Sequence, residues 1–157
     1  MPSNTSTTEL AYEAVTEGIR VRVVPRYLAD QSDPAQNRWV WAYSVEIHND
    51  SDKAVQLRDR HWEITDATGA VQVVDGAGVV GKQPLLKPGE KFEYTSGCPL
   101  PTPSGFMVGH YSMVHVAVTE EITRTAKVQV ARHMAPFEVA IPAFALDLPT
   151  AGRKQLH

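Results

Sequence analysis

The sequence predicts an all-β protein, folded as a single antiparallel β-sandwich of about seven or eight strands. Three observations carry that prediction. Apolar residues recur with period two along most of the chain, the mark of strands that bury one face. Clusters of Gly, Pro, Asn and Asp interrupt these runs at short intervals, and helical periodicity is almost absent. With 157 residues the chain has the length of about one domain and can bury well over half of its unfolded surface in one core. The domain is expected over 12–149, between a polar tail at 1–11 and a short tail at 150–157.

Ile19, Val21 and Val23 alternate with Arg20 and Arg22, and this strand can pass through Pro25 only at an edge or a bulge. After the turn-rich Asp30-Gln31-Ser32-Asp33-Pro34, residues Trp39 to Asn49 form the clearest strand. Its odd positions, Trp39, Trp41, Tyr43, Val45 and Ile47, should face the core, with Ser44, Glu46 and His48 outward. Asn49-Asp50-Ser51-Asp52 turns the chain. In the next strand the apolar parity changes from odd (Val55, Leu57) to even (Trp62, Ile64), which predicts a bulge between them. Ala67-Thr68-Gly69 leads into Val71-Gln72-Val73-Val74, and Phe92-Glu93-Tyr94-Thr95 resumes an extended run. Pro99, Pro101 and Pro103 mark a loop. A further strand runs from about Gly105 to Val118, and Phe137, Val139 and Ile141 open the last one. Between them Glu120 to Met134 reads either as a long hairpin or as a short helix.

Charge and composition narrow the function. A formal charge of −3, from 15 basic and 18 acidic residues, gives no basic footprint for nucleic acid or anionic lipid. No window approaches the roughly 20 apolar residues of a membrane-spanning helix, and the first residues lack the basic start and apolar stretch of a signal peptide. The lone Cys98 excludes an intrachain disulfide and fits a reducing compartment, so a cytoplasmic protein is expected. Among the six histidines, His110 and His115 stand five positions apart, on opposite faces of one strand, while His48 and His61 are isolated and His133 and His157 lie in irregular segments. That spacing offers no metal-ligand pair, and Asp30, Asp33, Asp50 and Asp52 read as turn residues. Asp59 and His61 share a strand face but lack an accompanying nucleophile, and Cys98 has no neighbouring base in sequence, so no catalytic residue is assigned. The parity of Trp39, Trp41 and Trp62 makes them core residues rather than exposed stacking platforms.

Val74-Asp75-Gly76-Ala77-Gly78-Val79-Val80-Gly81-Lys82-Gln83-Pro84 spells a dinucleotide-type glycine fingerprint. In nucleotide-binding units a helix follows these glycines and holds the pyrophosphate at its N-terminus. Pro84 and Pro88 forbid such a helix here. Two readings of the stretch remain. In one, backbone N–H groups from Gly76 to Gly81 form an anion-binding nest with Lys82 as counter-charge. In the other, the glycines only permit a tight loop at the end of the sandwich.

Several stretches together resemble the bacterial ApaG family: Gly18-Ile19-Arg20-Val21, Pro25 to Leu28, Ala42-Tyr43 through Ile47 and Asn49, Arg60 to Asp66, Gly76 to Pro84, Pro88-Gly89-Glu90, Phe92 to Gly97, Thr102 to Gly105, and Phe137 to Phe144. The resemblance covers most of the domain. It implies a fibronectin type III-like, immunoglobulin-like sandwich, an association with cobalt and magnesium efflux or resistance, and a pyrophosphate-binding glycine loop, with no established enzyme activity. Related domains inside larger eukaryotic proteins, including F-box and polymerase-associated ones, imply an interaction module. The segment Thr119 to Pro136 is longer than the resemblance implies.

The function expected is therefore a non-catalytic binding module that engages another protein; open sheet edges also leave a homodimer open. The alternative is an accessory protein that takes a nucleotide or pyrophosphate on the glycine loop. Candidate site residues under either reading are Gly76, Gly78, Gly81, Lys82 and Gln83, presented to Pro84 beside Thr95-Ser96-Gly97 and Thr102-Pro103. No cofactor is assigned, with pyrophosphate, nucleotide and divalent metal left open.

Overall fold

The period-two pattern becomes ten strands in the computed structural model, which describes residues 10–149. The tails expected at 1–11 and 150–157 lie outside the described residues except for Leu10 and Ala11, and His157 lies outside as well. The strands are β1 (Tyr12–Thr16), β2 (Ile19–Tyr27), β3 (Trp39–Asn49), β4 (Val55–Asp66), β5 (Val71–Ala77), β6 (Leu85–Leu86), β7 (Lys91–Leu100), β8 (Gly105–Ile122), β9 (Lys127–His133) and β10 (Phe137–Leu146). They form two antiparallel sheets packed as a sandwich, one ordered β1-β2-β3-β7 and the other β10-β8-β4-β5, with β6 on β4 and β9 on β8. Strands beyond the expected seven or eight are short or peripheral. The segment β1 has only half-buried Tyr12, Ala14 and Thr16 on its inner side, and β6 is two residues long. No helix among the described residues is long and apolar enough to cross a membrane.

Parity places the core as the alternation requires. Ile19, Val21 and Val23 of β2 and Trp41, Tyr43, Val45 and Ile47 of β3 are buried, facing Leu57, Trp62 and Ile64 of β4, Met107, Tyr111 and Met113 of β8, and Val139, Ile141 and Phe144 of β10. Trp39 packs against this cluster while half-buried. Tyr43 crosses from one sheet to the other, its ring 5.4 Å from Trp62 and 5.7 Å from Phe144. Such tilted and edge-on aromatic pairs add to the burial of their area.

The irregularities follow from the sequence too. The β4–β8 register steps from Leu57↔Met113 to Asp59↔Ser112, so Arg58 is the extra residue of a bulge where the parity changes. Pro25 lies just beyond the end of β1, whose last pair with β2 is Tyr12↔Val23, so its missing N–H leaves no rung broken. Pro99 corrects the expected loop. It and Cys98 continue β7, which tolerates proline because β7 is an outer strand. The segment Glu120 to Met134 resolves as a hairpin: β8 and β9 pair from Val116↔His133 to Ile122↔Lys127.

Candidate functional site

The bulge at Arg58 decides where β4 places its charges. From Asp59 onward the even residues face the opposite sheet, so Arg60 shares the inward side with buried Trp62 and Ile64, and His61 points away. The guanidinium of Arg60 is held at the open margin of the sandwich, where Nη1 donates to the Ala77 carbonyl at 3.0 Å and the Gly78 carbonyl at 2.8 Å.

Those two carbonyls belong to the glycine stretch, which is not one loop. Gly76 and Ala77 are the last residues of β5, paired with Arg60 and Asp59, because a strand edge was available on β4. A Cβ on Gly76 would come within 2.8 Å of the Arg60 guanidinium carbon and both terminal nitrogens, so this glycine lets the cation lie against the strand. Gly78 has φ +64°, and a Cβ there would stand 2.3 Å from the Lys82 carbonyl oxygen. The chain then closes a two-residue turn: Val79 N–H donates to Lys82 O at 2.8 Å and Lys82 N–H to Val79 O at 2.9 Å. Val80 (φ +43°) and Gly81 (φ +78°) form its tip, both left-handed as a tight hairpin of this kind requires. Val80 is a β-branched residue in a region such side chains rarely enter, and it is 55% exposed, whereas Val79 beside it is 1% exposed and anchors the turn in the core.

This geometry limits the amides that a nest over Gly76 to Gly81 could use. The N–H groups of Gly78, Val79 and Lys82 are engaged, by Arg58 O, Lys82 O and Val79 O, and cannot also converge on an anion. Gln83 is structural at this point: its Nε2 donates to the Arg58 carbonyl at 2.9 Å, closing the bulge. The Lys82 side chain is exposed and makes no ion pair among the described residues. No helix follows Gly81; the chain continues through Pro84 into β6.

Under the turn lies a cleft of about 200 Å³ between β7 and the β4–β5 margin. Tyr43, Arg60, Trp62, Tyr94 and Ser96 line it together with Val79 to Gly81. Ser96 is thus beside the glycine stretch, as expected. Thr102 is not: it sits at the far end of β5, where its Oγ1 accepts the Ala67 N–H at 3.1 Å. Burial raises the pKa of Tyr43, against the opposing effect of the Ser96 hydroxyl, and burial raises Tyr94 more strongly. Both phenols therefore remain hydrogen-bond donors at neutral pH; Tyr94 pairs with the hydroxyl of buried Tyr111. Cys98, also on β7, is buried, and its thiol is pushed up to about 11 by desolvation, far from nucleophilic range.

On the outer face of β4 the structure joins two histidines that stand far apart in the sequence. His61 of β4 pairs directly across from His110 of β8, and their rings stack at 4.9 Å. His61 Nδ1 lies 2.6 Å from Asp75 and its Nε2 3.2 Å from Glu63, while His110 Nε2 lies 3.4 Å from Glu138. No local pattern announces this pair, which exists only through the β4–β8 register. Among the described residues no three His, Cys, Asp or Glu side chains converge to hold a metal ion. The pKa of His61 is raised, first by its hydrogen bond to Asp75 and then by that to Glu63. A raised histidine stabilises the fold fully below its unfolded value of about 6.5, and that contribution fades as pH climbs through the folded value. The difference in Tm between the natural chain and Asp75→Asn is expected to be wider at a pH of about 6 than at about 9. Thermal unfolding across this range checks it, and a gap that does not change with pH would refute the assignment.

A family model described as the ApaG domain matches residues 29–115. Among curated relatives, Protein ApaG of Rhodospirillum centenum is 57% identical over 138 residues, 88% of this chain and 94% of the relative. Protein ApaG of Parvibaculum lavamentivorans is 53% identical over 146 residues, 93% of this chain and 99% of the relative. A crystal structure of an ApaA protein from Bordetella pertussis superposes with a TM-score of 0.70 at 48% identity, covering 83% of this chain and 94% of that one.

Proposed function

The chain belongs to the ApaG family, and from that premise we propose that it is a non-catalytic binding module of the cytoplasm, connected to cobalt and magnesium homeostasis through a partner protein. Its recognition surface is the Val79–Lys82 turn with the cleft beneath. The observation that carries this reading is the exposed, left-handed Val80 at the tip of a turn whose root is fixed in the core. Strained, exposed apolar residues on a rigid support are suited to recognition, because the partner meets a preformed shape.

Support for a non-catalytic role comes from the division of chemistry between the two faces of β4. The cleft holds hydroxyls kept protonated by burial, and the histidines with their carboxylates lie on the opposite face. A nucleophile and a base within reach of each other are what hydrolytic relays need. The alternative, a nucleotide or pyrophosphate on the glycine stretch, is weakened by the engaged amides of Gly78, Val79 and Lys82.

Both Val80→Asp and Lys82→Glu alter exposed side chains and should leave stability within about 0.5 kcal/mol. Each is expected to abolish capture of a protein that the natural chain retains from lysate of the source cell. Identical captured proteins from all three chains would remove the support for this surface. Amide shifts that saturate over Gly76 to Lys82 with ATP, ADP or pyrophosphate would instead favour the nucleotide reading.

A further inference from the structure

The Arg60 side chain is the most unusual charge in the molecule. It occupies the core-facing parity of β4, next to two buried apolar residues, yet no carboxylate pairs with it among the described residues. It is half-buried, and a charge set against a core ordinarily has an ionic partner. Only Nη1 is engaged, by two carbonyls, and the face of the group is braced against Gly76. Its Nε and Nη2 donors have no hydrogen-bond acceptor among the described residues, and the side chain lines the cleft. The guanidinium is therefore already oriented, with one edge held and the other vacant.

We propose that this cleft receives a single carboxylate from an acidic side chain of the partner protein, seated on the vacant edge of Arg60. The inference rests on the reading of the cleft as part of a protein-recognition surface. Three features select this ligand chemistry. The guanidinium edge matches the two oxygens of a carboxylate, and the Ser96 and Tyr43 hydroxyls beside it supply further donors. One cation balances one negative charge. A phosphate dianion or a diphosphate would call for a second cation, and Arg60 is the one cationic residue that lines the cleft. Finally, a volume of about 200 Å³ admits a side-chain head but falls below the 300 Å³ or so at which pockets for whole small molecules begin. A protein source is favoured over a free acid because β7, which carries Tyr94 and Ser96, is an outer strand whose free edge has no partner among the described residues, and an extended segment can lie along it. Exposed Val80 adds an apolar contact at the rim.

The test uses the full chain, labelled with 15N, and a six-residue peptide alternating Val and Glu, with its Gln counterpart, sodium acetate, inorganic phosphate and pyrophosphate as comparisons. The Glu peptide is expected to shift the Arg60 Nε–H resonance and the Val79 to Gly81 amides saturably, with acetate moving the same signals more weakly and the Gln peptide leaving them in place. Arg60→Lys, which keeps the charge but not the planar fork, should weaken the response about tenfold. Ser96→Ala, on a half-buried strand position that threatens no fold, should weaken it about threefold. Equal responses to the Glu and Gln peptides, a stronger response to phosphate or pyrophosphate, or no shift at Arg60 on the order of 10 mM peptide would overturn the proposal. A response to acetate without one to the peptide would retain the carboxylate site but refute its protein source. Loss of partner capture in Val80→Asp combined with silence at Arg60 would sink this inference alone and leave the recognition surface standing.

Discussion

Adding one methyl group at position 109 is expected to cost roughly 3 kcal/mol or more and to lower Tm by about 6–12 °C. Gly109 lies in the middle of β8, directly across from Trp62 of β4 on one side and Ile141 of β10 on the other. A Cβ there would stand 2.1 Å from the His61 carbonyl oxygen, 3.2 Å from the His61 carbonyl carbon and 3.0 Å from Cε3 of Trp62. The obstacle is space, since no left-handed φ accompanies it. Because β8 is paired along both edges at this point, it cannot slide away without breaking ladder hydrogen bonds. The Trp62 indole would have to move as well. It packs edge-on against Tyr43 at 5.4 Å, a contact that joins the sheets, and against Phe144 of its own sheet at 5.8 Å, and it also forms a wall of the Arg60 cleft. Gly97→Ala is the control: its Cβ would meet only the Trp41 carbonyl oxygen at 3.6 Å, an ordinary contact. Urea unfolding of both variants checks the argument. Values for Gly109→Ala and Gly97→Ala that agree within about 0.5 kcal/mol would show that the strand accommodates the added group.

Local chemistry made most of the sandwich legible. The alternation from Trp39 to Ile47 located the most buried strand, and the parity change between Leu57 and Trp62 located the bulge. The same parity, carried one step further, puts Arg60 inward, and the signal for the cleft was therefore present in β4 rather than in the glycines. Those glycines share a motif but not a cause. Gly76 makes room for a guanidinium, Gly78 for a carbonyl, and Gly81 supplies a left-handed turn. A spacing pattern cannot separate these causes, because each depends on what another strand brings alongside. The stacking of His61 on His110 was invisible for the same reason: β4 and β8 are far apart in sequence, and no turn fixes their register. Cys98 and Pro99 read as loop residues because proline usually ends strands, and only the position of β7 at the margin of its sheet relieves that conflict.

Asn49 carries the second large effect, and its variants separate a hydrogen-bonding role from a packing one. Read in sequence it opens a turn, but it is fully buried, the one buried polar side chain among the described residues. Its Nδ2 donates to Lys53 O at 2.8 Å and Leu86 O at 2.9 Å, and its Oδ1 accepts from Ser51 N at 3.0 Å and Ser51 Oγ at 2.6 Å. The amide thus ties the end of β3 to the turn before β4 and to β6, the strand that carries the chain back from the Val79–Lys82 turn. Asn49→Ala leaves these groups without partners and is expected to cost roughly 3 kcal/mol, with faster hydrogen exchange at the Val79 and Lys82 amides. Asn49→Asp keeps the acceptor but loses both donors and sets an ionised oxygen against two carbonyl oxygens. It should be at least as destabilising as the alanine at neutral pH. Its carboxyl would have a folded pKa raised above the unfolded value of about 3.9, so the penalty is present above that value and relieved as the pH falls and a proton restores one donor. Recovery of Asn49→Asp relative to Asn49→Ala between a pH of about 7 and about 4 is the expected result. Parallel pH profiles for the two variants would mean that the site needs the volume of the side chain and not its donors.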